Sequence, residues 1–166
     1  SGGLDFRTYQ GEHYAEVYDL LGGDYFIDNW NANATSNMRT VGDKIGWHND
    51  AFVRWGGAFA LLEYKGYLWN AFLNISAVTQ GYKSVDYFSE PNEDGSFATS
   101  GWKWIPGYTI KAGGNYNLSE YANAFVNLGH LNRTPVFRNV VDYENEFVQN
   151  TENELINSVE LGYSFS

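Results

Sequence analysis

From Tyr67 to Tyr82 the chain reads YLWNAFLNISAVTQGY, and its side chains alternate in kind with a period of two. Tyr67, Trp69, Ala71, Leu73, Ile75 and Ala77 stand at odd positions, against Asn70, Asn74, Ser76 and Gln80 at even ones. Extended backbone sends successive side chains to opposite faces, so this run is a strand with one oily side and one polar side. It is long for a strand, where ~5–6 residues is usual and ~9–11 are needed to cross a bilayer. Five other stretches alternate in the same way: 2–8, 51–64, 102–116, 121–131 and 153–166. The reading is all-β throughout.

Composition agrees where it bears on this. Aromatic residues make up 18% of the chain, a class that favours pleated sheet, and only three prolines interrupt it. No run of 18 apolar residues is present, which excludes a transmembrane helix. With no cysteine there is no disulfide framework and no thiolate chemistry. The chain opens at Ser1 straight into an alternating run and is read as a mature or truncated piece. A short helix is expected at GEHYAEVYDLL, where Tyr14, Val17, Tyr18 and Leu21 fall on one face.

Connections between the alternating runs differ sharply in length. Lys65-Gly66 and Asn117-Leu118-Ser119-Glu120 are tight turns, whereas 9–50, 88–101 and 132–152 are long and polar. An antiparallel up-and-down meander with tight turns at one end and long loops at the other is the plan of a transmembrane β-barrel. Six strands fall short of the eight from which membrane barrels start, so residues 1–166 are expected to be one segment of a larger barrel.

The net charge is −10, and the three long loops hold 14 of the 20 acidic residues with only Arg39, Lys44, Arg133 and Arg138 against them. Such a balance argues against nucleic acid as a partner. Within the strands, Asp5, Arg7, Arg54, Lys103, Lys111 and Glu160 are all assigned to the face opposite the apolar series, which spares hydrocarbon their charge. Arg54, Lys103, Lys111 and Glu160 are thereby expected to face a lumen. Glu63 and Lys83 depart from that parity, one beside a turn and one far up a long strand. Trp102, Trp104 and Tyr116 fall near the two ends of one apolar face, as membrane-interface aromatics would. Leu68, Phe72, Val78 and Tyr82 lie on the other face, which a barrel filled by a plug accommodates better than an aqueous lumen.

Catalytic chemistry finds little support. His13, His48 and His130 are far apart, and neither EPNEDGSF nor DYENE has the spacing of a calcium loop. Glu152 and Glu154 read as a chance pair at a strand entrance, and no nucleophile elbow or phosphate-cradling loop occurs. No metal, cofactor or enzyme activity is expected. In the first loop, GGDYFIDNWNANATSN and VGDKIGWHND combine Tyr, Trp, Asn and Asp, a mixture that stacks on sugar rings and grips polar ligands. Tyr25, Trp30, Trp47 and Arg133 are the expected ligand or rim contacts.

GHLNRTPVFRNV followed by NTENELINSVELGYSF resembles the barrel of TonB-dependent outer-membrane receptors. Arg133 and Pro135 after the strand that ends near Gly129, then Glu152-Asn153-Glu154, then Glu160-Leu161-Gly162-Tyr163, carry the likeness. GEHYAEVYDLLGGDYFID and VGDKIGWHNDAFVRWGGAFALLEYK are similar to barrel segments of the nutrient-uptake branch. The resemblance implies a 22-stranded barrel in the cell outer membrane, closed by a plug domain, that imports an iron chelate, cobalamin, a glycan or a peptide. It implies as partners outer-membrane lipid, the plug and remaining barrel strands, TonB through the plug, and in some members a surface lipoprotein. Neither a plug nor a TonB-contacting segment is recognisable in these residues. Two rivals stand beside this reading: a soluble β-sandwich that binds carbohydrate, with its oily faces packed together, and a small adhesin-like outer-membrane barrel built from more than one copy.

Overall fold

The computed structural model describes residues 1–165; Ser166, where the expected last strand ends, lies outside the described residues. Nine strands follow one another: β1 (Gly2–Glu16), β2 (Phe26–Ile27), β3 (Met38–Arg39), β4 (Lys44–Lys65), β5 (Trp69–Asp86), β6 (Ala98–Thr99), β7 (Lys103–Asn117), β8 (Ala122–Arg133) and β9 (Glu154–Phe165). The six long ones form one antiparallel meander in the order β1-β4-β5-β7-β8-β9. β6 adds a short pairing to β5, and β2 pairs only with β3 in a hairpin within the first loop. The fold is therefore all-β, as expected, and the sheet is open: β1 and β9 each pair on one side only.

Both tight turns are held by backbone hydrogen bonds. Gly66 N donates to Trp69 O at 3.0 Å, and Leu118 N donates to Ala122 O at 2.9 Å. All the long connections leave the opposite end. Several strands outrun their expected limits there. β1 continues to Glu16 and β4 begins at Lys44, so the first loop shrinks from 9–50 to 17–43. The helix expected at 11–21 is absent. Its first residues instead extend β1, with Glu12 opposite Asp50 and Tyr14 opposite His48, across a bulge at Ala15. Spacing that would suit a helix is overridden by a partner strand that pairs with this backbone along its length. Among the described residues the single helical turn is a 3-10 turn at Phe137–Asn139, which the sequence pattern had not signalled.

Register fixes which residues share a face, because directly opposed residues point the same way. One face carries Leu4 and Phe6 of β1, Ala58, Ala60 and Leu62 of β4, Ala71, Leu73 and Ile75 of β5, and Ala112 and Ile110 of β7; Leu128 and Val126 of β8, with Val159 and Leu161 of β9, continue it. No second layer covers it among the described residues: Leu4 is 87% exposed, Phe6 75%, Val159 71% and Leu161 76%. The opposite face carries Asp5, Arg7, Asn74, Ser76, Gln80, Lys111, Asn115, Asn127, Ser158 and Glu160.

Strand β4 corrects the expected parity. Arg54 stands opposite Thr8 and Gly81, on the apolar face, and Glu63 stands opposite Phe72, on the polar one. The two had been assigned the other way round. Phe52, Ala58, Ala60 and Leu62 share one side of β4, while Val53, Trp55, Phe59 and Leu61 share the other. Both sides are greasy, so alternation within the strand does not decide its register; its partners do. Lys103, Lys111 and Glu160 lie on the polar face and Lys83 on the apolar one.

Aromatic side chains gather at both ends of the apolar face. At the tight-turn end Tyr64 stacks on Trp69, ring centroids 4.2 Å apart, with Tyr116 opposite Trp69 and Tyr163 in the same row. At the other end Trp102 stacks on Trp104 at 5.7 Å. Trp104 and Tyr116 are twelve residues apart on β7; at ~3.4 Å per residue this spans about 41 Å along the strand. The apolar face has one internal polar line. Asn157 Oδ1 lies 2.7 Å from His130 Nδ1, and His130 Nε2 lies 3.0 Å from the Tyr108 hydroxyl. An amide oxygen can only accept, so Nδ1 carries the proton and Tyr108 donates to Nε2.

A small apolar core lies on the polar side near the long-loop end. Tyr82, Ile105, Val140 and Val141 are packed together there, with Val53, Phe137 and Phe147 against them.

Candidate functional site

The third long loop, 134–153, folds down over the polar face. Tyr82 donates its hydroxyl proton to Pro135 O at 2.5 Å, and Thr134 Oγ1 donates to Gln80 Oε1 at 2.7 Å. Lys103 Nζ donates to Val148 O at 3.1 Å and to Thr151 Oγ1 at 3.2 Å while standing 5.4 Å from the Phe147 ring centroid. Val140 and Val141 are the apolar plug of this contact, both fully buried. A lysine expected on the polar face thus serves as a clamp on a loop, and its charge is met by oxygen and an aromatic face.

What the loop leaves outside is a polar and aromatic tip. Tyr143 is 87% exposed, and the Arg138 guanidinium lies 3.9 Å from its ring centroid. An arginine on an aromatic face keeps both groups rigid and open to a ligand, which suits stacking on a sugar ring together with hydrogen bonding to its oxygens. Neither residue was singled out from the sequence. The signal available there, RNVVDYE, places an Arg and a Tyr on either side of two valines, but nothing in it shows that the valines are buried.

Below the loop the polar face stays open. Asn127 Nδ2 donates to Glu160 Oε2 at 2.8 Å, and Lys111 stands between Asn74 and Gly129. Phe72 lies over Gly113 and Phe125 over Gly162. Polar groups and phenyl rings alternate there, a surface able to contact either water or polypeptide.

The first loop folds against the opposite side of the long-loop end. Asn33 Nδ2 donates to Tyr87 O at 2.7 Å and to Ser89 O at 2.8 Å, and Ala32 N donates to Phe88 O at 2.7 Å. His48 sits among Tyr14, Tyr87 and Phe88, with Tyr87 at 4.3 Å between centroids. Glu12 bridges Lys44 and His48, the latter at 2.8 Å. Burial raises the Tyr87 phenol above its ordinary range, helped by its hydrogen bond to the Asp50 carboxylate. Asn31, Arg39, Gly42, Asp43, Lys44, His48 and Phe88 line a cleft of about 360 Å³. Arg39 is held near Asp28, Nε to Oδ2 3.8 Å.

The four expected contact residues are dispersed. Tyr25 and Trp30 are exposed in the first loop, Trp47 is exposed at the bulge of β4, and Arg133 ends β8 in an exposed ion pair with Glu154 at 3.6 Å. Among the described residues no hydrogen bond, ion pair or ring contact joins them to one another. Trp102, Trp104 and Tyr116 do stand on the apolar side, at its two ends. No group of three or more His, Cys, Asp or Glu among the described residues could hold a metal ion. Comparison of the chain with protein-family models, with curated proteins and with solved structures gives no match.

Proposed function

We propose that this chain is a wall segment of an outer-membrane β-barrel of the TonB-dependent receptor type, part of a machine that imports a bulky nutrient. The observation that carries the reading is the segregation of faces on a single-layer sheet. One face is apolar, uncovered and bounded by aromatic rows at both ends; the other is polar and partly covered by a loop. Hydrocarbon outside and plug, water or substrate inside would satisfy both faces at once.

On this reading the free edges of β1 and β9 pair with further barrel strands, since unpaired backbone in hydrocarbon costs several kcal/mol per group. Lys111 and Glu160 face the lumen, Lys103 anchors the inward loop, and Arg138 with Tyr143 contact the substrate at its tip. The oily faces of a β-sandwich would lie against each other, and the uncovered apolar sheet favours the bilayer instead.

Membrane fractionation of cells expressing the gene tests this, with an antibody against the 90–97 loop as probe. The expected result is recovery in the outer-membrane fraction, release only by detergent, and antibody binding to intact cells. Recovery in the aqueous fraction without detergent would overturn the proposal.

A further inference from the structure

At the long-loop end of the apolar face, four residues form a built shelf. Gly81 leaves room for the Trp104 indole: a Cβ there would stand 2.8 Å from three of its ring atoms. Trp102 stacks on Trp104 with an interplanar angle of 21°, and the Arg54 guanidinium carbon lies 4.5 Å from the Trp102 ring centroid. Lys83, diagonal to Arg54 across β4 and β5, reaches over Phe52 at 5.6 Å. Neither cation makes an ion pair among the described residues, whose acid partners go to Arg7, Arg39, Lys44, His48 and Arg133.

Thr8 and Gln10 stand beside these two cations on the same face, and the Asp50 carboxylate there is bonded to Gln10 and Tyr87; two positive charges without an acid partner call for an anion from outside the chain. Their height says which. Arg54 lies ten residues above Tyr64 on β4; at ~3.4 Å per residue and a tilt of ~40° that is about 26 Å, the full apolar band of a membrane barrel. They stand where hydrocarbon gives way to headgroups, beneath loops that are themselves acidic and attract no anion. Resting on the membrane reading above, we infer that Arg54 and Lys83 bind the phosphate of an anionic lipid headgroup in the leaflet on the long-loop side. Arg54 offers a planar fork to two phosphate oxygens and Lys83 a point charge, while Trp102 and Trp104 pack along the lipid below.

The test uses the protein purified from membranes in mild detergent, wild type and R54Q/K83Q. Native mass spectrometry follows retention of lipid A against phosphatidylcholine. Wild type is expected to retain lipid A selectively, and the double variant to retain it about tenfold to thirtyfold less. Added sodium chloride is expected to weaken retention by the wild type, a readout that survives if the variant does not fold. Equal retention by both proteins, or indifference to salt, overturns the inference. Inorganic phosphate at the same concentration should not displace the lipid; displacement would assign the site to free phosphate and overturn the headgroup assignment. A brominated-lipid contact at a probe on Ile110 separates the two failures: contact without headgroup preference sinks this inference alone, and no contact sinks the membrane reading.

Discussion

Tyr82 and Pro135, 53 residues apart, are joined by a hydrogen bond from phenol to carbonyl at 2.5 Å. Tyr82 is fully buried near the long-loop end of β5, and Pro135 opens the loop that covers it. The bond therefore ties a connection to a wall, and the apolar packing of Val140 and Val141 completes the joint. Replacing Tyr82 by Phe keeps the packing and removes the bond. The expected cost is about 1 kcal/mol, confined to the loop: protease cleavage within 136–150 should quicken several-fold while unfolding of the sheet is little changed. Measuring both by limited proteolysis and by denaturant titration checks the assignment.

Two glycines on opposite faces make a matched pair. A Cβ on Gly162 would stand 2.1 Å from ring atoms of Phe125, whereas one on Gly56 would meet nothing nearer than Phe6 at 3.9 Å. Gly162→Ala should displace the phenyl ring and cost about 1 kcal/mol, the low end of overpacking. Gly56→Ala should be neutral or slightly stabilising, because it restricts the unfolded chain. Denaturant midpoints of the two variants give the comparison.

The turn at Thr40–Asp43 sets a pH dependence outside the strands. Thr40 backbone N–H, 2.6 Å from the Asp43 carboxylate, holds it below the ordinary aspartate range, and the Thr40 hydroxyl adds to this. A carboxyl with a depressed folded value contributes order that is present above its unfolded pKa and lost as pH falls through the folded one. The protection factor of Thr40 N–H, its exchange rate relative to that of an unstructured amide at the same pH, should therefore fall on acidification in the wild type. Asp43→Asn should remove that acid dependence.

Charge should be tolerated on one side of the sheet and rejected on the other. Ile75 and Asn127 lie on opposite faces, the first on the apolar one. In lipid vesicles Ile75→Lys is expected to cost ~2–4 kcal/mol and Asn127→Lys less than about 0.5 kcal/mol. Urea unfolding of protein inserted in vesicles reads the difference.

Much of this architecture is legible in alternation alone. β5, β7 and β9 each carry the longer apolar series on one side, so their faces follow directly from the residues. β4 is oily on both sides, and its parity came out inverted, with Arg54 and Glu63 exchanged between faces. Nothing local to β4 could have prevented this, since the deciding information is which residues of β1 and β5 lie opposite. The extension of β1 to Glu16 was hidden for the same reason: Tyr14 looks helical until His48 is beside it. The Arg138–Tyr143 tip and the Trp102–Trp104–Arg54 shelf depend on loop burial and cross-strand register, neither of which is a property of a short stretch.

The most direct measurement scans β7 with single cysteines, which a chain without native cysteine allows. Labels carrying a fluorophore at successive positions from 104 to 116 are read in vesicles of brominated lipid and again with an aqueous quencher. Lipid quenching at even positions and aqueous or no quenching at odd ones, alternating along the strand, is the predicted result. Even positions shielded from both quenchers, as a second layer of protein would make them, would contradict it.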